Sequence, residues 1–445
     1  MRFFKILILV FIMIISDIAF IGCKKESPED VLWKDDSGAV SFSVNMRGLF
    51  AGGKNSYNLP FTYKDALFKG DSARYNKYLA AFSFGAAFSS GGKESIGEFY
   101  RKAFFDDVFL SSSYDEIPTV DSVGYSFAHK TVNDTDAICV SVRGYNYGKE
   151  WIGNVTVGKT GDHENFSLRA REIYAALKTY AAGYDGEIKI LLTGYSRGGG
   201  IANALAGAIM EGDFPAKKEN VYVYTFAAPK AMAKTNVKKY KNVFNIINSA
   251  DMVCCLTPES FDLYRNGIDV DIYSEHADIL LKAFDDGITL PKFIPNESNF
   301  KTAADFPRYI LKTLTNYTGE KTFALNDRNA YADNYEETVK YFMGIAYSLN
   351  GEKQAELLSA FSGKSMTELT GLLKDDNLYL FLSEYLTEED QDLLKAHCKI
   401  LAGFLRYPAF PILAAYPAYK NNFSRMLSMH YPETIYVLLK ARDNL

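Results

Sequence analysis

The feature that most constrains this chain is a serine between glycines, placed where an apolar run meets an alanine-rich run. Gly194-Tyr195-Ser196-Arg197-Gly198 joins the strand-like stretch 187–193 to the helix-like stretch 198–210. A sharp turn from strand to helix needs small residues two positions before and after the serine, because larger ones would clash. The serine oxygen is then exposed at the turn, beside a helix N-terminus that favours negative charge. The pattern predicts a nucleophilic serine, with an inert serine in a tight turn as the alternative.

Strand-like and helix-like segments alternate through the first part of the chain. The predicted strands are 40–44, 122–128, 137–142, 187–193, 221–226 and 242–247, and the predicted helices are 76–88, 96–105, 166–182 and 198–210. Several of these strands are short continuous apolar runs, which is typical of strands buried on both faces. The alternation predicts an α/β fold with a mostly parallel sheet covered by helices.

The pattern changes at about residue 278, where helical runs replace the alternation. The predicted helices here are 306–314, 335–348, 353–361, 375–385 and 388–405, followed by a proline-bearing stretch at 406–419 and a final helix at 432–441. We therefore predict a core in two parts, 38–277 and 417–445, separated by a helical insertion at 278–416.

An activated serine needs a base, and the base needs an acid that orients it. With a serine on this kind of turn, the chain order is serine, acid, histidine. Asp251 lies just beyond the strand at 242–247, at the sheet edge where catalytic groups collect. The pattern predicts Asp251 as the acid, with a turn-capping aspartate as the alternative.

The candidates for the catalytic base can be narrowed by elimination, since the chain has only five histidines. His129 and His163 precede Ser196 and break the expected order. His397 falls in a charged amphipathic helix, and His276 stands where the insertion begins. His430 lies on the loop before the final helix, whose first turn holds Pro432 and Glu433. We predict His430 as the base, with His276 as the alternative.

An oxyanion formed at Ser196 needs two donors. The backbone amide of Arg197 is one candidate. The second is expected from the loop after an earlier strand, and Arg143-Gly144-Tyr145 fits that place because Gly144 lets the backbone approach closely. The alternative is a simple strand exit. Both ends of the insertion lie at the rim of this site in chain order, so we expect the insertion to form a cap.

The N-terminus has the pattern of an export signal. Arg2 and Lys5 precede an apolar run at 6–16, and Phe20-Ile21-Gly22-Cys23 resembles a bacterial lipobox. We expect a signal at 1–23, lipidation of Cys23, and a polar tether at 24–37. Plain secretion and an uncleaved anchor are the alternatives. The protein is thus expected to be exported and held at a membrane surface.

Charge and cysteine content narrow the function further. The net charge of −5 gives little support to nucleic-acid binding. No cysteine–histidine spacing indicates zinc, and no metal or organic cofactor is implied. A disulfide framework is not expected. A single disulfide bond from Cys398 to Cys254 or Cys255 is the alternative.

Taken together, these motifs resemble the class 3 lipase family of α/β-hydrolases, in particular bacterial members with an enlarged helical insertion. The segments that carry the resemblance are Val140-Ser141-Val142-Arg143-Gly144 with Trp151, Asp162-His163-Glu164-Asn165-Phe166, Gly194-Tyr195-Ser196-Arg197-Gly198-Gly199, Tyr224-Thr225-Phe226-Ala227-Ala228-Pro229, Asn248-Ser249-Ala250-Asp251-Met252-Val253, and His430-Tyr431-Pro432-Glu433-Thr434-Ile435-Tyr436. Tyr195 stands where the family usually has histidine, and Tyr145 where it has threonine or serine. The resemblance implies that His163 is structural, and that Tyr145 contributes its backbone amide.

The resemblance implies a serine hydrolase that cleaves carboxylic esters, with lipids as the expected substrates. The alternatives are a short-chain carboxylesterase or a deacetylase acting on envelope polymers, and an inactive surface-binding lipoprotein on the same fold. The presence of Ser196, Asp251 and His430 together argues against the inactive protein. A solute-binding lipoprotein has no support, since no two similar lobes are visible.

Overall fold

The computed structural model describes residues 38–132, 134–315, 327–349, 351–362, 364–386, 390–406 and 409–445. The expected signal and tether, with Cys23, lie outside the described residues, and those expectations stay predictions. No helix in the described part has the length and apolar character needed to cross a membrane.

A seven-stranded sheet forms the centre of the fold. The strands of the protein are β1 Val40–Arg47, β2 Ser56–Tyr63, β3 Asp107–Leu110, β4 Tyr125–Val132, β5 Thr135–Val142, β6 Glu187–Tyr195, β7 Val221–Phe226, β8 Met232–Ala233, β9 Val243–Ile247, β10 Leu263–Tyr264 and β11 Ile268–Asp271. The sheet order is β11-β9-β7-β6-β5-β4-β3. The five strands from β11 to β5 are parallel, and β4 and β3 add antiparallel pairs at one edge. The predicted mostly parallel sheet is confirmed.

Helices flank this sheet, and further helices follow β11 in the chain. The helices are α1 Lys77–Ser89, α2 Lys93–Lys102, α3 Glu164–Ala181, α4 Arg197–Glu211, α5 Met252–Cys255, α6 Ala277–Phe284, α7 Asp305–Thr315, α8 Arg328–Asn334, α9 Glu336–Ser348, α10 Gly351–Ser362, α11 Met366–Leu372, α12 Asn377–Ser383, α13 Gln391–Arg406, α14 Ala409–Ser428 and α15 Pro432–Asp443. Short 3-10 helices lie at Asp65–Lys69, Ser112–Tyr114, Gly148–Val155, Lys218–Asn220 and Glu259–Phe261.

The two faces of the sheet bury separate apolar layers. Successive side chains of a strand point to opposite faces, and along β6 Leu191 and Tyr195 join one layer while Ile190 and Leu192 join the other. The first layer includes α1, α2 and α15, and the second includes α3 and α4. Each fully buried aliphatic side chain contributes about 1.5–3 kcal/mol to the stability of the fold. The apolar layers on both faces therefore hold β6 and the turn that follows it in place.

The N-terminal strand lies apart from the central sheet. The alternating stretch 40–44, predicted as a strand, is part of β1, which pairs antiparallel with β2 in a separate two-stranded sheet. The inward residues of β2, such as Leu59 and Phe61, pack on the first apolar layer. The apolar face of this hairpin is therefore buried against helices rather than extending the central sheet.

We call α7 to α14 the helical region (residues 305–428). Its side chains form one apolar cluster around Leu382 and Leu394, and they share a second, around Phe306 and Phe423, with Phe300 of the preceding segment. The proline-bearing stretch expected to be a connection lies instead largely within helix α14, which also crosses the expected domain boundary at 416/417. Proline is tolerated in a first helical turn, which suits Pro411.

Candidate active site

Ser196 occupies the turn between β6 and α4. Its backbone φ is +53°, a left-handed conformation that is uncommon for a residue with a side chain. Close backbone packing maintains this turn, because a Cβ added at Gly198 would lie 2.3 Å from the carbonyl oxygen of Val142. The Ser196 amide donates to the carbonyl of Phe226 at 2.8 Å. The serine is thus fixed at the carboxyl end of the sheet, at the N-terminus of a 15-residue helix.

Asp251 follows β9 and caps the short helix α5. One carboxylate oxygen, Oδ1, accepts the amide of Val253 at 2.8 Å. The other, Oδ2, lies 2.7 Å from Nδ1 of His430 and 3.2 Å from Sγ of Cys254. Burial raises the pKa of the Cys254 thiol well above its usual value, so this thiol is a donor to the carboxylate.

His430 lies between the acid and the serine. Its Nε2 is 3.0 Å from Ser196 Oγ, and Nδ1 faces Asp251. The alternative histidine, His276, is exposed at the start of α6. Of the two, the structure brings His430 to the serine.

Two further hydrogen bonds fix the loop that carries His430. The Tyr195 hydroxyl donates to the carbonyl of His430 itself. The Asn248 side chain, three residues before Asp251, donates to the carbonyl of Met429 at 3.0 Å. The segments of all three residues are therefore tied together by bonds outside the Ser–His–Asp line.

The expected oxyanion loop lies directly against the serine turn. A Cβ at Gly144 would fall 1.6 Å from the carbonyl oxygen of Tyr195, so only glycine permits this contact. The ring of Tyr145 stacks on Phe88 with centroids 5.0 Å apart. Since this packing occupies the ring in the core, the Tyr145 amide is the better candidate donor.

The helical region covers the acid side of the site. Helix α7 contacts α5, and Met252, the residue after Asp251, packs against the cluster that contains Phe306 and Phe423. Ser196 keeps 1% of its surface exposed and His430 keeps 2%. The described chain thus holds the serine in a covered position.

Sequence reasoning missed two polar partners near the site. Cys254 contacts Asp251 as described, and Glu150 lies between two buried arginines. The sequence signal for Glu150 is Arg197, a charged residue within a run of glycines and apolar residues. A buried charge of this kind needs a counterion nearby. The four described cysteines (Cys139, Cys254, Cys255 and Cys398) are all free and buried, so no bond joins Cys398 to the 254/255 pair.

The geometry suits acyl transfer. A serine hydroxyl within hydrogen-bond reach of an imidazole, itself oriented by a carboxylate, is the arrangement of a nucleophile with its base. Among the described residues, no group of histidine, cysteine and acidic side chains is arranged to hold a metal ion.

Comparison with known proteins gives a family and a set of similar structures. The model of the family described as Lipase (class 3) matches residues 139–261. Similar solved structures include the triacylglyceride lipase of Rhizomucor miehei (17% identity, 44% of this chain and 78% of that chain, TM-score 0.33). They also include a lipase of Rhizopus microsporus var. chinensis (17%, 44% and 74%, TM-score 0.33) and lipase II of Rhizopus niveus (16%, 44% and 80%, TM-score 0.32).

Among curated proteins, no relative matches. The matched segment runs from β5 through the serine turn to the acid loop. Over residues 139–261 the chain is similar to the class 3 lipase family, and its mostly parallel, helix-flanked central sheet is that of an α/β fold.

Proposed function

We propose that this protein hydrolyses lipid esters with Ser196 as nucleophile, His430 as general base and acid, and Asp251 as the orienting carboxylate. The observation that carries the proposal is the continuous line from Ser196 Oγ to His430 Nε2 (3.0 Å) and from His430 Nδ1 to Asp251 Oδ2 (2.7 Å).

In the proposed reaction, Ser196 Oγ attacks the ester carbonyl carbon while its proton passes to His430 Nε2. The tetrahedral intermediate collapses as the bond to the alkoxy group breaks, and His430 returns the proton to the leaving alcohol. Water then attacks the acyl-serine by the same route and releases the carboxylic acid. Asp251 stabilises the imidazolium without itself taking up the proton.

The oxyanion is assigned to the backbone amides of Arg197 and Tyr145. The close contact at Gly144 supports this assignment, because it holds the loop of Tyr145 against the serine turn. Removing one such donor typically costs about 10²–10³ in kcat.

The helical region is proposed as a cap that supplies an apolar wall. The contact of α7 with α5 and the burial of Ser196 support this role.

We also propose that Cys23 carries the lipid that anchors the protein to a membrane. The lipobox-like sequence before Cys23 supports the idea. Incorporation of labelled palmitate that disappears in Cys23→Ser would support it, and equal incorporation in the variant would contradict it.

A chain-length series tests the substrate class. Initial rates are measured on p-nitrophenyl esters from acetate to palmitate and on emulsified triacylglycerol, with Ser196→Ala as the control. Rates that favour long acyl chains and vanish in the variant support lipid hydrolysis. A maximum at acetate favours the short-chain esterase or deacetylase, and no hydrolysis of any ester favours the inactive binding protein.

A further inference from the structure

A buried carboxylate links the two segments that are proposed to supply the oxyanion donors. Glu150, in the 3-10 helix Gly148–Val155, has a fully buried side chain. Its Oε1 accepts a hydrogen bond from Arg143 Nη2, and its Oε2 lies 3.2 Å from Arg197 Nη1. The Ser122 hydroxyl donates to Oε1 at 3.2 Å. One carboxylate thus holds two guanidinium groups, one with each oxygen.

The two arginines belong to different parts of the site. Arg197 directly follows Ser196, and its own amide is a proposed donor. Arg143 ends the β5 side of the loop, two residues before Tyr145, whose amide is the other proposed donor. Glu150 therefore connects the side chains of the two donor-bearing segments, on top of the backbone contact at Gly144.

Both arginines are also fixed on their far sides. Arg143 Nη2 donates to the carbonyl of Ser113 at 3.0 Å, and its guanidinium lies 4.8 Å from the ring centre of Tyr114. Arg197 Nη2 donates to Asn165 Oδ1 at 3.1 Å. Each guanidinium group is therefore held by Glu150 and by at least one further partner, so the position of each arginine side chain is fixed.

We propose that Glu150 is a positioning residue that sets the spacing of the two oxyanion donors, an inference that rests on the proposed function. Donors stabilise an oxyanion when they lie about 2.7–3.1 Å from it, and sites of this kind tolerate displacements of only about 0.5 Å. Burying three charged groups is costly. In this arrangement the buried ion pairs hold the two donor amides at a fixed distance from each other.

The test compares Glu150→Gln with the wild-type protein. Glutamine keeps the shape but presents an NH₂ group to a guanidinium, so one of the two arginines has to move. We expect kcat for an ester to fall at least about tenfold with KM within twofold, since the loss of one donor costs about 10²–10³. Affinity for a trifluoromethyl ketone, whose hemiketal mimics the oxyanion, is expected to fall in parallel with kcat/KM.

Two further variants keep the test decisive. Arg197→Met leaves the Arg143–Glu150 pair intact and removes the link from Glu150 to the serine turn, together with the bond to Asn165. It is the variant to use if Glu150→Gln does not fold. Glu187→Gln removes an exposed ion pair with Lys217 at the far end of β6 and is the matched control, expected to leave kcat unchanged.

A folded Glu150→Gln or Arg197→Met protein that keeps both kcat and inhibitor affinity within twofold would overturn the positioning role, even if its melting temperature falls. A wild-type protein that hydrolyses no ester counts against the proposed function instead. The two failures are therefore distinguishable.

Discussion

The sheet core and the helical region use glycine in opposite ways. Around the serine turn, a Cβ at Gly144 or at Gly194 would fall 1.6 Å or 2.3 Å from a backbone oxygen. In the helical region, Cβ atoms at Gly344 and Gly371 would meet nothing within 4 Å. The core therefore fixes the serine geometry by close backbone contact, whereas the helical region leaves space for side chains to change.

The reacting groups and the proposed route of substrate access therefore lie in different regions of the molecule. Ser196 and Asp251 are held by the sheet, and His430 returns to it at the end of the helical region. Under the proposed cap role, variation in the helices alters what reaches the serine without moving the groups that react. We expect substitutions in the two regions to differ in their effects as much as the packing differs.

The largest effect is expected where the two regions meet, at His430. Without its imidazole, His430→Ala cannot accept the Ser196 proton, and kcat for an ester should fall by about 10⁴-fold or more. Steady-state hydrolysis measures the loss, and circular dichroism checks the fold. A folded variant with more than a tenth of wild-type kcat would contradict the assignment and return attention to His276.

A glycine pair tests the packing contrast directly. Gly144→Ala places a methyl group on the Tyr195 carbonyl, so we expect kcat to fall by about 10²-fold or more and unfolding to become easier by a few kcal/mol. Gly344→Ala, in α9, should instead stabilise the protein by about 0.5–1 kcal/mol with unchanged kcat. Urea denaturation and ester hydrolysis of both variants are the measurements. Similar changes in kcat and in stability at the two positions would contradict the difference in packing between the sheet core and the helical region.

A third prediction concerns how the helical region is fastened to the core. Arg328 donates to the carbonyls of Val157, Gly158 and Asp162 at 2.6, 2.7 and 3.0 Å. Arg328→Met leaves these acceptors without their donor, and the free energy of unfolding should fall by about 2–3 kcal/mol. Hydrogen exchange in 327–349 should become faster.

The matched control for Arg328 is Lys159→Met. Lys159 pairs with Asp333 across the same junction, but both side chains are about half exposed, so its loss should change stability by less than about 1 kcal/mol. Equal losses in the two variants would show that the buried bonds do not fasten the region.

A pH dependence is expected at the same junction. Burial lowers the pKa of His163 to about 3, against a partly opposing hydrogen bond from its ring to the Asn154 carbonyl. The unfolded chain takes up this proton below about pH 6.5 and the folded chain does not. His163 therefore lowers stability as pH falls from about 6.5 toward 3, by about 1.4 kcal/mol per pH unit.

In His163→Gln this contribution disappears. Urea denaturation from pH 7 to pH 4 measures the free energy of unfolding of both proteins. As pH falls, the wild-type value should decrease relative to that of the variant. A difference that stays constant over that range would rule out a buried neutral His163.

The sequence predicted the central sheet well because buried parallel strands are short apolar runs, as in 137–142 and 221–226. It missed β11, whose residues Ile268–Asp271 alternate with acidic side chains. It also missed helix α14, since Pro411 and Pro417 are typical of a connection.

At the site, the glycine pattern and the chain order singled out the three residues that the structure brings together. Glu150 could not be found this way, because its partners are distant in sequence and a carboxylate in a short 3-10 helix has no distinctive spacing. Its role depends on burial, which only the packed structure reveals.

Activity-based labelling tests the central assignment most directly. A fluorophosphonate reacts only with an activated serine: Ser196 Oγ bonds to phosphorus, fluoride leaves, and His430 takes the hydroxyl proton. We predict a single adduct, mapped by peptide mass spectrometry to Ser196, with labelling strongly reduced in His430→Ala. No adduct in the wild-type protein, or an adduct on another serine, would contradict the account.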